Sequence, residues 1–532
     1  MQPTHTKERF TLEDLLLFWA ILFGAVVRLM PALGAGFPIN DGGLFYTMTQ
    51  DILRNDYTLP LYTTYNGAQI PFAYPPLAFY LAAFLVKAFG LPLIEVIRFL
   101  PPLVAVATIP AFYLLSRAVL KSRPQAALAT VAFAMLPPSF DLIILGGGLT
   151  RSFGALFCLL TLWSVYELYT RRERRYLVTS ALLAALLVWV HPESSFHALF
   201  LVALFWLFWG RDVQSALHSL LVAVAVIALT TPWWLTVLLR HGTTPFASIL
   251  QSGWHNWFFW TPLLTFDFPN ERYLSLIAVL GVIGLLTQLI RKEFFLPAWL
   301  ATPFVAEPRN PYFFAIVPLA MMAAIGLDEV VLPGIRALTG RSNGAPTGQD
   351  GATRYLTTAG GRIILAYFLL YSLLNAFAYA APFARFVLTE EERDALTWVT
   401  GHTPSGSHFL LITYGNQFNT PVQEWFPALT ERINLTTVQG YEWLPGRVFY
   451  RRRSDFPLLM RCIFQDIRCV EAWAKERGYD FDYVYVYQAL PAAIYAQESE
   501  TELGNLLILS LQNAPEYEPV YRSEHIAIFR HR

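Results

Sequence analysis

Charge is scarce in this chain. Asp, Glu, Lys and Arg make up 14% of its 532 residues, against about 25% in an ordinary soluble protein. A soluble chain of this size would lack the polar surface to cover itself, which excludes a cytoplasmic enzyme and a disordered scaffold. Cysteine is scarcer still, at three residues, so the chain is no disulfide-rich secreted module. Neither sign of charge dominates: 38 basic and 38 acidic residues cancel, and no nucleic-acid partner is expected. The Walker phosphate loop and the Rossmann glycine fingerprint are missing as well, so cytoplasmic nucleotide chemistry finds no support. What is present is apolar length, with 55% hydrophobic and 15% aromatic residues and a mean hydropathy of +0.42. This is the composition of a polytopic membrane protein.

The long apolar runs stop near residue 383, and soluble-like polarity follows. The chain therefore divides into a helical membrane domain, 1–383, and a tail of roughly 150 residues, 384–532, long enough to bury its own core. A spanning helix needs about 20 mainly apolar residues. The first run, LEDLLLFWAILFGAVVRLM, ends near Pro31 and reads as an uncleaved span, since no small-residue cleavage site follows it. Further spans are expected near 93–118, 124–142, 150–169, 176–191, 195–210, 214–238, 272–290, 294–306, 311–331 and 362–382. One more stretch, PPLAFYLAAFLVKAFG at 75–90, decides the topology. If it lies on the membrane surface, the basic loops KSRP and RRERR, Arg211, RK at 291–292 and the loop at about 332–361 with Arg336, Arg341 and Arg354 all face the cytoplasm. Counted as a span, it moves all of them outside, against the positive-inside rule. The expectation is eleven spans in a plasma (inner) membrane, a cytoplasmic N-terminus, an extracytoplasmic tail and an interfacial helix at 75–90. The loop RSNGAPTGQDGA reads as a linker.

With that topology the unusual polar residues gather on the outer side. Asp41 stands in the first external loop before two glycines, which let the backbone turn tightly near a ligand. Its carboxylate could take a proton from an acceptor or hold a metal, or it could simply cap the helix beginning near Leu44. Arg151 follows three glycines at the outer end of a helix, where backbone N–H groups and a guanidinium together suit a phosphate; snorkelling to headgroups is the alternative. His191 and Glu193 flank a helix-breaking proline and could share a divalent metal with Asp41 or orient an acceptor, although two ligands define no metal site. His197 reads as a structural hydrogen-bonding residue. The aromatic loop at 254–260 suggests an interfacial belt, with His255, Asp267 and Glu271 as further site candidates. Glu307 and Arg309 are external again; Arg309 is a second candidate for lipid phosphate, or the two pair with each other.

In their order along the chain these segments resemble the GT-C superfamily of lipid-phosphate-sugar-dependent glycosyltransferases, which includes protein O-mannosyltransferases and aminoarabinose transferases. The resemblance is carried by INDGG around Asp41, YPPLAFYL at 74–81, GGGLTR at 146–151, HPE at 191–193 and EPRNPYFFAIVPLAMMAAIGLDEV. It implies a GT-C fold, a polyprenyl-phosphate-linked sugar as donor, and Asp41 as catalytic base or metal-holding residue. Many relatives have an acidic pair in the first external loop, where Asp41 has Asn40 and Gly42 beside it and Asp51 and Asp56 are unaligned substitutes. Many also have an acidic residue in the second external loop, where this chain offers Thr150 and Arg151. The tail segment EWFPALTERINLTTVQGYEW, 424–443, is similar to extracytoplasmic domains behind such membrane units.

The tail itself reads as a small α/β domain. Thr389 and Glu392 form a capping box, HFLLITY, FDYVYVY and SEHIAIFRH read as strands, and 457–477 as one helix. On a continuous helix the seven-residue spacing of Cys462 and Cys469 puts them about 10 Å apart, too far to bridge, so either the helix breaks between them or they stay reduced. Cys158 is expected to be packing within the membrane. The activity expected is inverting transfer of a hexose or pentose to a protein, lipid or glycan acceptor outside the membrane, with Arg151 and Arg309 holding the leaving phosphate. A flippase for a lipid-linked substrate and a non-catalytic envelope assembly protein are the alternatives.

Overall fold

The computed structural model describes residues 11–251, 260–307, 309–338, 358–413, 415–487 and 505–532. His255 and the expected linker at 341–352 lie outside them. Each of the eleven apolar segments is a helix: α1 (Leu12–Gly34), then, past short α2 (Gly43–Arg54) and α3 (Leu77–Phe89), α4 (Leu93–Leu120), α5 (Arg123–Met135), α6 (Gly148–Arg171), α7 (Arg174–Val190), α8 (Pro192–Trp209) and α9 (Val213–His241). After two short helices, α10 (Thr244–Gln251) and α11 (Thr261–Thr265), come α12 (Leu276–Ile290), α13 (Phe295–Ala306), α14 (Tyr312–Ile325) with its continuation α15 (Leu332–Leu338), and α16 (Ala359–Ala380). Among the described residues seven of them, α1, α4, α6, α8, α9, α14 with its continuation, and α16, are long and apolar enough to cross a membrane. The chain is a multi-pass, mainly helical membrane protein.

Helix α5 corrects the expected span at 124–142. It stops at Met135 because Leu136 is extended and Pro137 and Pro138 follow; a residue before proline is pushed out of the helical region. Every residue from Ala126 to Met135 is buried, between α1, α4 and α14. Its open carbonyl end is bound by Arg28 of α1, whose guanidinium donates to the Ala134 carbonyl (2.9 Å) and to Ser139 Oγ (2.7 Å) and lies over the Phe140 ring. Arg28 is wholly buried, and it fixes the start of the 136–147 connection. The stretch at 75–90 forms α3, an apolar helix of 13 residues.

The C-terminal segment holds a five-stranded sheet in the order β4 (Ile433–Asn434), β3 (His408–Ile412), β5 (Tyr483–Tyr487), β7 (Ile526–His531), β6 (Tyr517–Arg522), a two-residue hairpin β1 (Tyr62–Thr63) with β2 (Ile70–Pro71) lying apart. β3 runs parallel to β4 and β5, and β7 antiparallel to β5 and β6. The capping box of Thr389 and Glu392 opens α17 (Glu390–His402); α18 (Pro421–Thr430) follows β3. The single helix expected over 457–477 is instead two, α19 (Val448–Met460) and α20 (Ile467–Arg477), separated by a 3-10 turn and a new N-cap at Asp466. That break brings Cys462 and Cys469 to a Cα separation of 5.5 Å and they are bridged. The short closed loop limits what the bridge contributes to about 2–3 kcal/mol; Cys462→Ser with Cys469→Ser should lower the unfolding free energy of this region by that amount in a denaturant titration.

Two hydrophobic clusters explain how the parts join. One lies wholly in the C-terminal segment, between the sheet and α19, α20 and α21 (Asn505–Asn513). The other is shared: Phe37, Leu44, Phe45, Tyr65 and Phe79 pack with Leu396, Trp425, Phe426 and Tyr485. The first loop and α2 are thus cored by residues from the other end of the chain.

Candidate active site

The geometry begins with close backbone approach. Gly42 has φ +121°, and a Cβ there would meet the Gly146 backbone at 2.9 Å. A Cβ on Gly147 would run into the Asp41 carboxylate itself. With both side chains missing, the 36–42 loop lies against the 136–147 connection, joined by a Gly146 N–H to Ile39 carbonyl bond of 2.8 Å. Asp41 Oδ1 accepts from Gly147 N–H at 2.7 Å, and its Oδ2 accepts from Arg151 Nη2 at 2.9 Å. The two residues singled out as base and phosphate ligand are therefore partners. Arg151 also donates to the Leu142 carbonyl at 3.3 Å, so it is held inward and does not snorkel. Nor does the Asp41 side chain cap α2, whose N-cap is Gly42 without any side-chain bond of its own.

Arg151, His191 and Glu193 line one cavity with Asp141, Asn310 and Tyr312. His191 is the N-cap of α8, its Nδ1 accepting from the Ser194 N–H (3.2 Å) and paired with Ser194 Oγ (2.8 Å). Glu193 lies within electrostatic reach of Arg151, Arg309 and Glu307. Glu307 accepts from Arg309 N–H and Nε at 3.2 and 3.1 Å, so these two do pair. Asp267 is exposed and reaches Tyr312 at the cavity edge only electrostatically; Glu271 caps α12 through the Ile277 and Ala278 N–H groups. His197 departs from its expected role. It makes no hydrogen bond among the described residues and stacks on Phe314 at 4.0 Å. Asp51 is spent on Thr63 and Thr64, at 2.7 Å to each hydroxyl.

Three acidic residues that the sequence did not single out belong here. Asp141 was counted inside a span; with α5 ending early it stands in the connection before Arg151, where it accepts from the Tyr379 hydroxyl at 3.4 Å. The connection that was expected to offer Thr150 and Arg151 thus also carries an acidic residue. Glu442, from the C-terminal segment, buries its Oε2 without a hydrogen-bond partner among the described residues; burial raises it to about 7 and Arg309 opposes that rise. Glu424, also C-terminal, accepts from the Gly42 and Leu44 N–H groups at 3.0 and 3.1 Å. Burial and then Asp41 push it up to about 8, against the pull of those two N–H groups and Arg151. A carboxyl raised from its ordinary value near 4.5 to about 8 keeps in the folded chain a proton that the unfolded chain has lost, so its stabilisation is complete below about pH 4.5 and lost as pH rises through about 8. The thermal midpoint in detergent should fall across that interval, and Glu424→Gln should flatten the decline.

A metal fits this donor set poorly. Asp41 gives one oxygen to a backbone N–H and the other to a guanidinium, and His191 Nδ1 is committed to Ser194. No group of three or more His, Cys, Asp and Glu side chains able to hold an ion comes together among the described residues. The Arg151 guanidinium on Asp41 Oδ2 also repels a divalent cation placed at the same oxygen. The expected set of Asp41, His191 and Glu193 is therefore not assembled as a metal site.

No family model matches the chain, and no curated protein matches it by sequence. Solved structures do. An oligosaccharyltransferase from Archaeoglobus fulgidus, in complex with Zn and sulfate, superposes with a TM-score of 0.59 at 16% identity, covering 95% of this chain and 71% of that one. ArnT from Cupriavidus metallidurans in the apo state gives 0.53 at 12% identity, covering 96% and 98%, and its undecaprenyl phosphate complex gives 0.50 at 13% over the same shares. The arabinofuranosyltransferase AftD from Mycobacteria gives 0.51 at 15% identity over 96% of this chain and 39% of that longer one. The chain thus shares its overall fold with these solved membrane transferases, as the resemblance in its sequence implied.

Proposed function

We propose that the protein is a membrane glycosyltransferase that moves a sugar from a polyprenyl-phosphate donor to an acceptor hydroxyl or amine on the extracytoplasmic side. The observation that carries this reading is the Asp41–Arg151 pair beside the Gly147 N–H, set at a cavity of a GT-C fold. A donor phosphate would take over the Arg151 guanidinium, which leaves Asp41 Oδ2 to receive the acceptor proton. The acceptor atom then attacks C1 from the face opposite the phosphate, the C1–O bond breaks, and polyprenyl phosphate leaves with the electron pair, inverting the anomeric centre. Arg151, and Arg309 across Glu193, would balance the charge that develops on it. That the ArnT structure holds undecaprenyl phosphate supports this donor class.

In this reading the guanidiniums supply the positive charge, so the reaction proceeds without a bound divalent ion. The membrane is the inner membrane, with a cytoplasmic N-terminus, and the chain divides near 383/384 into a membrane unit and a C-terminal unit that borders the site. The test is purified protein in proteoliposomes with labelled polyprenyl-phosphate sugars and a cell-envelope extract. Labelled product is expected, and it should persist with EDTA present. Sugar-phosphate movement across the bilayer without any transfer would instead favour a flippase.

A further inference from the structure

Helix α2 lacks a cap of its own. It opens at Gly42, which has no side chain to offer, yet its first N–H groups need acceptors. The acceptor comes from α18, some 380 positions along: Glu424 Oε1 takes both the Gly42 and the Leu44 N–H. The same helix and the turn before it secure the residue on the other side of Asp41. Trp425 Nε1 donates to the Asn40 carbonyl at 3.0 Å, and the Phe418 carbonyl accepts from Asn40 Nδ2 at 2.9 Å. Tyr65 ties down the Glu424 backbone, its hydroxyl donating to that carbonyl at 2.9 Å. Both peptide units adjoining Asp41 are therefore held by the C-terminal segment, through Asn40 O on one side and Gly42 N on the other.

We propose that Glu424 is a positioning residue for the transfer reaction, setting the Asp41 peptide so that its carboxylate meets the Gly147 N–H and Arg151. This rests on the reading of Asp41 as the acceptor base, and it gives the C-terminal segment a part in building the catalytic loop as well as bordering it. The charged and titratable groups facing Glu424 are Asp41, Arg151 and the Tyr65 hydroxyl. Glu424 touches no reacting atom; it acts through the loop.

The test uses the full chain in proteoliposomes. Glu424→Ala should lower kcat by about 10²-fold, the order expected when a reacting group is displaced by about an ångström, with KM for the donor changing less than about threefold. Glu424→Gln should recover most of the loss, because an amide oxygen accepts the same two N–H bonds. In an Asp41→Asn background, adding Glu424→Ala should cost nothing further, since the two act through one group. Hydrogen exchange at amides 42–44 should quicken in the Ala variant and not in the Gln variant. An additive loss in the Asp41→Asn background, a Gln variant as impaired as Ala, or unchanged exchange would each overturn the proposal. Wild-type protein without transfer activity, or Asp41→Asn as active as wild type, would instead overturn the reading beneath it, while the exchange result would still report whether the Glu424 contact holds the loop.

Discussion

Replacing Arg151 with alanine should lower kcat by about 10²–10³-fold, the usual cost of removing one preorganised charge from a transition state that develops an anion. The guanidinium is well placed for that task. It is held from behind by the Leu142 carbonyl, an anchor that remains when phosphate replaces Asp41 in front of it. Donor KM should rise as well, because the same contact binds ground-state phosphate. Arg151→Lys keeps the charge but loses the planar fork and should recover only part of the rate. Steady-state transfer at varied donor concentration separates the two effects. A kcat loss equal to that of an unrelated exposed arginine, such as Arg461, would remove Arg151 from the phosphate site.

The second large effect is expected at Asp41. Asparagine is nearly isosteric and its amide oxygen still accepts the Gly147 N–H, so the loop should keep its shape. What disappears is the anion that pairs Arg151 and receives the proton. The expected loss in kcat is about 10²–10⁴-fold, the range for a positioned general base. The thermal midpoint should stay close to wild type, because Glu424 and Trp425 continue to hold the loop. Such a split, rate lost with fold retained, separates a chemical role from a scaffolding one.

What could be read from the amino acids and what could not follow one physical line. Local signals carried well. The glycines after Asp41 marked a tight turn and close approach, and the structure lays that stretch against the glycines before Arg151. The proline pair at 75–76 marked the start of a helix, and α3 begins directly after it. Signals that needed a second element did not carry. Asp141 was hidden in the run DLIILGGG, although Pro137 and Pro138 ahead of it were enough to end the helix. The Cys462–Cys469 bridge depended on a helix break whose one local mark was Asp466, a good N-cap in an otherwise helical stretch. His197 looked like a hydrogen-bonding residue because imidazoles usually are, but its neighbour across the interface is Phe314. Glu424 and Glu442 were invisible for a plainer reason. Carboxylates are ordinary in a polar segment, and only the packing of Trp425 and Phe426 onto the first loop and α2 places Glu424, as that of Trp443 against Tyr74 places Glu442.

The central claim is that the pair of Asp41 and Arg151 performs sugar transfer from a lipid phosphate. Its most direct measurement is single-turnover transfer of labelled sugar from polyprenyl phosphate, with wild-type protein and Asp41→Asn side by side in proteoliposomes at equal folded concentration. Wild type should yield labelled acceptor and released polyprenyl phosphate in equal amounts, and the variant a rate about 10²-fold lower or worse. Equal labelled product from both proteins would contradict it.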